Sequence, residues 1–141
     1  VALSREAREA FLAEPHIGAL AVDAGPGRAP LSVPIWYAYT PGGEVWIVTA
    51  PDSRKAELIR AAGRFTMMAD RMEPTVRYVS VEGPVVSEEP CSYEQLTEMS
   101  ARYLPAEKLA DYVDFSWKQE GAPTLFRMRP QRWVSADLGT V

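Results

Sequence analysis

The chain has 141 residues, 47% hydrophobic and 24% charged, which suits one soluble globular domain over residues 1–141 and leaves little room for two. A net charge of -4 excludes a nucleic-acid binder held by a basic field, and a single cysteine, Cys91, excludes an internal disulfide framework. No apolar run is long enough to span a bilayer and no charged-then-apolar leader opens the sequence, so a cytoplasmic location is the expectation.

SREAREAFLAEP predicts a short helix capped by Ser4, with Ala7, Ala10, Phe11 and Leu12 as its apolar face and Pro15 as its stop. HIGALAV, residues 16–22, suits a buried strand, and DAGPGR is a turn by composition. PLSVPIWYAY is a strand rich in β-branched and aromatic residues, and Pro34 within it implies an edge or a bulge. TPGGE is a hairpin loop returning into VWIVTA, 45–50. A helix runs from Ser53 to about Ala62 with Gly63 as its stop. RFTMMAD reads as a strand, RMEPT as a connection, and VRYVSVEGPVVSEE, 76–89, as a long alternating strand kinked at Gly83 and Pro84. Helices follow from Ser92 to Tyr103 and from Pro105 to about Val113, and TLFRMRP and RWVSADL close the chain as strands. Connections this short favour hairpins, so the order predicts a small antiparallel barrel with flanking helices rather than a βαβ sheet.

The stretch TAPDSRKAELIRAAGRF, 49–65, places Arg54 and Lys55 at the first turn of its helix, where the helix dipole disfavours cations. Thr49 ends a strand and Ser53 is the N-cap, so free N–H groups, hydroxyls and two cations gather at one point. Spacing alone leaves two readings, a phosphate site and a capped surface helix with ordinary basic residues.

The pattern T-x-x-x-S-R-K-A, then a helix, then R-F-T-M-M, resembles the pyridoxamine 5'-phosphate oxidase-like split barrels, which are flavin- and deazaflavin-dependent oxidoreductases. HIGALAV, PLSVPIWYAY with its return VWIVT, RYVSVEGPV and RMRPQRWVSADL follow in the family's order, so the resemblance covers almost the whole chain. It implies a six- to seven-stranded antiparallel split β-barrel and a homodimer with cofactor sites at the interface. It also implies that Thr49, Ser53, Arg54 and Lys55 bind the cofactor phosphate, and that Ser32, Val33 and Pro34 border the ring. Tyr78 falls where the family reaches the ring edge, as a candidate proton donor, and Trp133 on the strand that closes the site, often from the partner. A flat ring needs apolar walls, and Trp36 joins Tyr78 as a candidate to supply them.

The P-I-W-Y-x-Y and S-R-K-A-x-x-I-R patterns resemble the branch many of whose members use the deazaflavin F420. The implied activity is hydride transfer between F420 and a small conjugated organic substrate. An FMN-dependent oxidase or reductase, a non-catalytic binder of a flavin, heme or tetrapyrrole, and a barrel with an empty site are the alternatives. The family's R-x-H ending is R-W-V-S here and its additional strand arginine is absent near Ser32–Pro34, which implies a substrate other than pyridoxamine phosphate. An F420 tail is acidic, and Arg28, Arg54 or Arg60 are the residues to meet it.

Four other features read as structural. His16 is alone, and general-base work needs a partner in reach. Cys91 has no metal-ligand spacing around it, so no metal is expected. The pairs Glu88–Glu89 and Asp111–Asp114 read as solvated faces, and KLADYVDFSWKQEGAP as irregular, either a substrate lid or a packed surface loop.

Overall fold

A computed structural model describes residues 1–139. The elements are α1 (Arg5–Ala13), β1 (Gly18–Val22), β2 (Leu31–Ile35), β3 (Ala38–Tyr39), β4 (Val45–Thr49), α2 (Arg54–Ala62), β5 (Arg64–Arg71), β6 (Arg77–Pro90), α3 (Tyr93–Ala101), α4 (Ala106–Glu120), β7 (Thr124–Met128) and β8 (Arg132–Asp137). Every pairing is antiparallel, in the order β2-β1-β5-β6-β7-β4-β3 with β8 also on β6. This is the expected antiparallel split barrel with flanking helices. PLSVPIWYAY divides into β2 and the two-residue β3, which pair with different strands. Pro34 is tolerated because β2 is an edge strand, where a missing N–H leaves no ladder bond unmade.

The barrel is organised around β6, fourteen residues long. Its first half pairs with β5 and β8, and its second half, from Val85, with β7. The change comes at the Gly83–Pro84 step, followed by a bulge between Val85 and Ser87. A Cβ on Gly83 would meet the Arg129 carbonyl oxygen at 1.8 Å, so only glycine lets the β7–β8 turn cross there. Alternation then sorts the strands' two faces. Leu20, Phe65, Met67, Val79 and Val81 turn inward to a core completed by Phe11 and Leu12 of α1 and Ala56, Leu58 and Ile59 of α2. Ala19, Met68, Tyr78 and Ser80, at the alternate positions, face outward.

The expectation of an irregular segment after Val113 is corrected. α4 continues to Glu120 and ends at Gly121, φ 73°. Leu109, Val113 and Trp117 recur every fourth residue and pack with Leu96 and Met99 of α3 over Ala38, Trp46 and Leu125, so the helix has a continuous buried stripe. Tyr112 and Phe115 lie off that stripe, exposed, which is what obscures the period in the sequence.

Asp137 fastens β8 to the β5–β6 hairpin. Its carboxylate accepts from the Gly139 amide at 2.9 Å, from Arg77 Nε at 2.9 Å and from Thr75 Oγ1 at 2.9 Å. The Gly139 amide first, then Arg77, hold its pKa at about 2 against an ordinary 3.8. A depressed carboxyl pKa gives stability that is full above the unfolded value and lost as pH falls through the folded one. Thermal melts of the wild type should therefore lose stability between about pH 4 and pH 2. Asp137→Asn should melt lower at pH 7 and lack that part of the acid loss.

Candidate functional site

Thr49, the last residue of β4, is buried, and a tight turn closed by Ser53 N–H donating to Ala50 O at 3.0 Å leads into α2. Ser53 caps the helix: its Oγ accepts from the Ala56 amide at 3.1 Å and shares a 3.0 Å hydrogen bond with Thr49 Oγ1. Among the described residues no partner is found for the Arg54 and Lys55 amides, the first N–H groups of the helix. The two cations behave differently. Consecutive helical residues point roughly 100° apart, and Arg54 turns away to pair with Glu57 at 3.5 Å. It lines a separate cleft of about 250 Å³ with Arg28 and Ser32. Lys55 has no ion pair among the described residues and faces the Thr49–Ser53 side. The unfavourable charge of Arg54 at the dipole is thus partly offset by Glu57, while that of Lys55 is not.

Lys55, Thr49 and Ser53 form the polar end of a cleft of about 390 Å³. Its walls are Pro34, Ile35 and Trp36 at the end of β2, Val48 on β4, Leu96 and Met99 on α3, and Tyr112 on α4. Glu120 at the end of α4 is its carboxylate. Trp36 is clamped in place: Tyr103 stacks on it at 4.8 Å and 11°, and Tyr112 leans on it at 5.7 Å. The Tyr103 hydroxyl accepts from Tyr37 N–H at 3.1 Å and lies 2.8 Å from His16 O and 2.9 Å from Tyr37 O, the acceptors for its proton. Ser100 lines the cleft too, fully buried, and its Oγ has no hydrogen-bond partner among the described residues. A buried hydroxyl left unpaired is unfavourable unless something in the cleft meets it.

The structure therefore brings Pro34, Trp36, Thr49, Ser53 and Lys55 together and sends Ser32 and Arg54 to the neighbouring cleft. Val33 turns inward onto the core. Tyr78 is on the outer face of β6, opposite Asp70 and Ala136 and three strands from Pro34, roughly 14 Å at strand spacing. Trp133 turns inward, edge-on to Tyr39 at 6.1 Å, outside this cleft. Arg60 is engaged elsewhere, its Nε donating to Glu88 Oε1 at 3.1 Å and its Nη2 to Oε2 at 2.7 Å, and Glu89 pairs with Arg127 at 3.1 Å. Glu88 and Glu89 stay solvent-accessible, as expected, and each also pairs with an arginine, Arg60 of α2 and Arg127 of β7.

Sequence reasoning missed Leu96, Met99, Ser100 and Glu120, whose place in the cleft is set by contacts between distant segments. The off-stripe Tyr112 was the only local signal. His16 is structural, its Nε2 3.0 Å from Phe11 O and its ring stacked on Phe11 at 4.4 Å. The buried Cys91 thiol is raised to about 11, by burial first and then by the Glu89 charge, so it is inert at neutral pH. Among the described residues no group of three or more acidic, histidine or cysteine side chains is placed to hold a metal. Among the described residues no helix is long and apolar enough to cross a membrane.

A family model described as pyridoxamine 5'-phosphate oxidase matches residues 4–136. The chain belongs to that family. Its fold is shared by a solved F420 reductase, 21% identical, with a TM-score of 0.71 over 89% of this chain and 94% of the other. A conserved hypothetical protein from Mycobacterium tuberculosis is 26% identical, with a TM-score of 0.69 over 96% of this chain and 85% of the other. An FAD-binding protein from Mesorhizobium loti is 23% identical, with a TM-score of 0.68 over 97% and 96%. No curated protein gives a significant match.

The clamp on Trp36 generates a prediction. Tyr103→Phe leaves the Tyr37 amide without its acceptor and should cost about 1–3 kcal/mol, read by denaturant unfolding. It should also lower the steady-state fluorescence anisotropy of Trp36, measured with the other tryptophans replaced by phenylalanine.

Proposed function

We propose that the protein is an oxidoreductase that transfers a hydride between bound F420 and a small conjugated organic substrate. The observation that carries this reading is the distribution of polarity in the cleft. One end holds Lys55, two linked hydroxyls and two unengaged amides, and the remaining walls are mainly apolar, with Ser100, Tyr112 and Glu120 as their polar members. That is the donor set for a phosphate joined to a planar body. The orphaned Ser100 hydroxyl supplies a hydrogen-bonding group on the buried side, so the residues fit such a cofactor.

Lys55, Thr49 and Ser53 would hold the phosphate, and Pro34 and Trp36 would flank the ring. Leu96 and Met99 would keep water out. Arg28 and Arg54, on the far side of the helix start, would take the carboxylates of an F420 tail, with Ser32 beside them. When bound, the cofactor supplies the hydride chemistry, which is why the protein needs no acid–base pair in the cleft. Solved proteins of this fold include an F420 reductase and an FAD-binding protein, so FMN is the second reading. Equilibrium titration of F420 and of FMN into apo-protein separates them. One cofactor should bind at micromolar or lower Kd and weaken at least tenfold, about 1.4 kcal/mol, in Lys55→Ala. Equal affinities in wild type and variant would sink the reading.

The working form is proposed to be a homodimer. The outer face of the sheet carries a row in register, Pro34–Ala19–Met68–Ser80–Val134, small or apolar throughout. Val134 is 62% and Ile17 58% exposed beside it. A second copy packed on this face would cover Tyr78 as well, and a proton donated by Tyr78 would then have to come from the partner subunit. Light scattering should give twice the chain mass for wild type. Val134→Glu should give a monomer and lose turnover, and Tyr78→Phe should remain dimeric with reduced kcat.

A further inference from the structure

A second cleft, of about 400 Å³, lies between α1, the β3–β4 hairpin and the β7–β8 turn, and shares no lining residue with the cleft at α2. Three arginines line it, Arg5, Arg8 and Arg129. Arg5 is neutralised by Glu9, one turn on, at 3.0 Å. Arg8 and Arg129 have no ion pair among the described residues, and Glu44 is the remaining carboxylate of the lining. Arg8 is the anomalous member. Its guanidinium lies over the Trp133 ring, 4.7 Å from the centroid, and its buried Nε has no hydrogen-bond partner among the described residues. An arginine is always charged and donates through five N–H groups, so with Nε covered by the Trp133 ring it is the terminal Nη groups of Arg8 that are left for an anion.

We propose that this cleft binds a small phosphate monoester, with Arg8 and Arg129 taking the phosphate. A phosphate monoester carries between one and two negative charges at neutral pH on three acceptor oxygens, which answers two guanidinium forks where a single carboxylate answers one. The cleft is larger than a bare phosphate needs, and Tyr39 and Trp133 wall the remainder, so the anion bears an organic group. Arg129 lies on the turn whose carbonyl crosses Gly83, and its residue lines the cleft. This site stands independently of the reading of the α2 cleft.

The test follows the indole N–H resonances of the full chain, labelled with nitrogen-15, during titration with phenyl phosphate. Trp133 reports this cleft and Trp36 the other, the signals being assigned with Trp133→Phe and Trp36→Phe. Trp133 should shift saturably, with a midpoint unchanged in Lys55→Ala and raised at least tenfold in Arg8→Gln. Arg129→Gln, on an exposed turn, should do the same if Arg8→Gln fails to fold. A Trp133 signal that stays fixed up to about 10 mM phenyl phosphate, weaker than about 3 kcal/mol of binding, overturns the proposal. So does a midpoint unaffected by either arginine variant. Movement of Trp36 alone, abolished in Lys55→Ala, would place the anion at α2 and reject this second site.

Discussion

One strand, β6, carries the architecture, because it must pair with three others along its length. A strand cannot do this and stay straight. The bulge after Val85 turns its ladder from one sheet to the other, and Gly83 provides the space for the Arg129 carbonyl that the turn requires. Any side chain at that point would force the β7–β8 turn outward. β8 would lose its register on β6, and the Asp137 anchor to Thr75 and Arg77 would lose its geometry.

The two clefts sit where this barrel meets its helices. At the end of β4 the chain leaves the sheet and enters α2 within a few residues, so the helix start and the strand end converge on Lys55, Thr49 and Ser53. The α3–α4 pair then covers the opposite wall, with a core of its own under Trp46 and Leu125. Beside α1 the same barrel presents Trp133 and Tyr39 to Arg8. In both places a cation without a carboxylate partner faces an aromatic wall. Elsewhere several arginines are paired, as Arg60 with Glu88 and Arg127 with Glu89.

Local signals proved most legible where one residue type can do only one thing. Ser4, Ser53 and Ser92 are all N-caps, each accepting from the amide three residues on. Gly63 ends α2 in the left-handed region, φ 69°. Pro34 marks an edge strand. The α4 helix was harder to see because its exposed aromatics, Tyr112 and Phe115, mimic a core stripe at the wrong phase. The paired cations Arg54 and Lys55 were legible as a cluster, but a linear sequence does not display the rotation between neighbours that divides them between two clefts.

By itself the sequence determined the element order, the antiparallel hairpin logic, the family resemblance and the polar end of the α2 cleft. These depend on caps, turn residues and alternation, which act over a few positions. The tertiary structure alone decided that Ser100, Met99 and Glu120 face Lys55, that Tyr78 looks outward and Trp133 inward, and that Arg8 Nε is covered with no hydrogen-bond partner among the described residues. Those facts depend on strand register and on which helix covers which end of the barrel. One residue of register exchanges the faces of a whole strand, and no short stretch of sequence records which face its distant partner will meet.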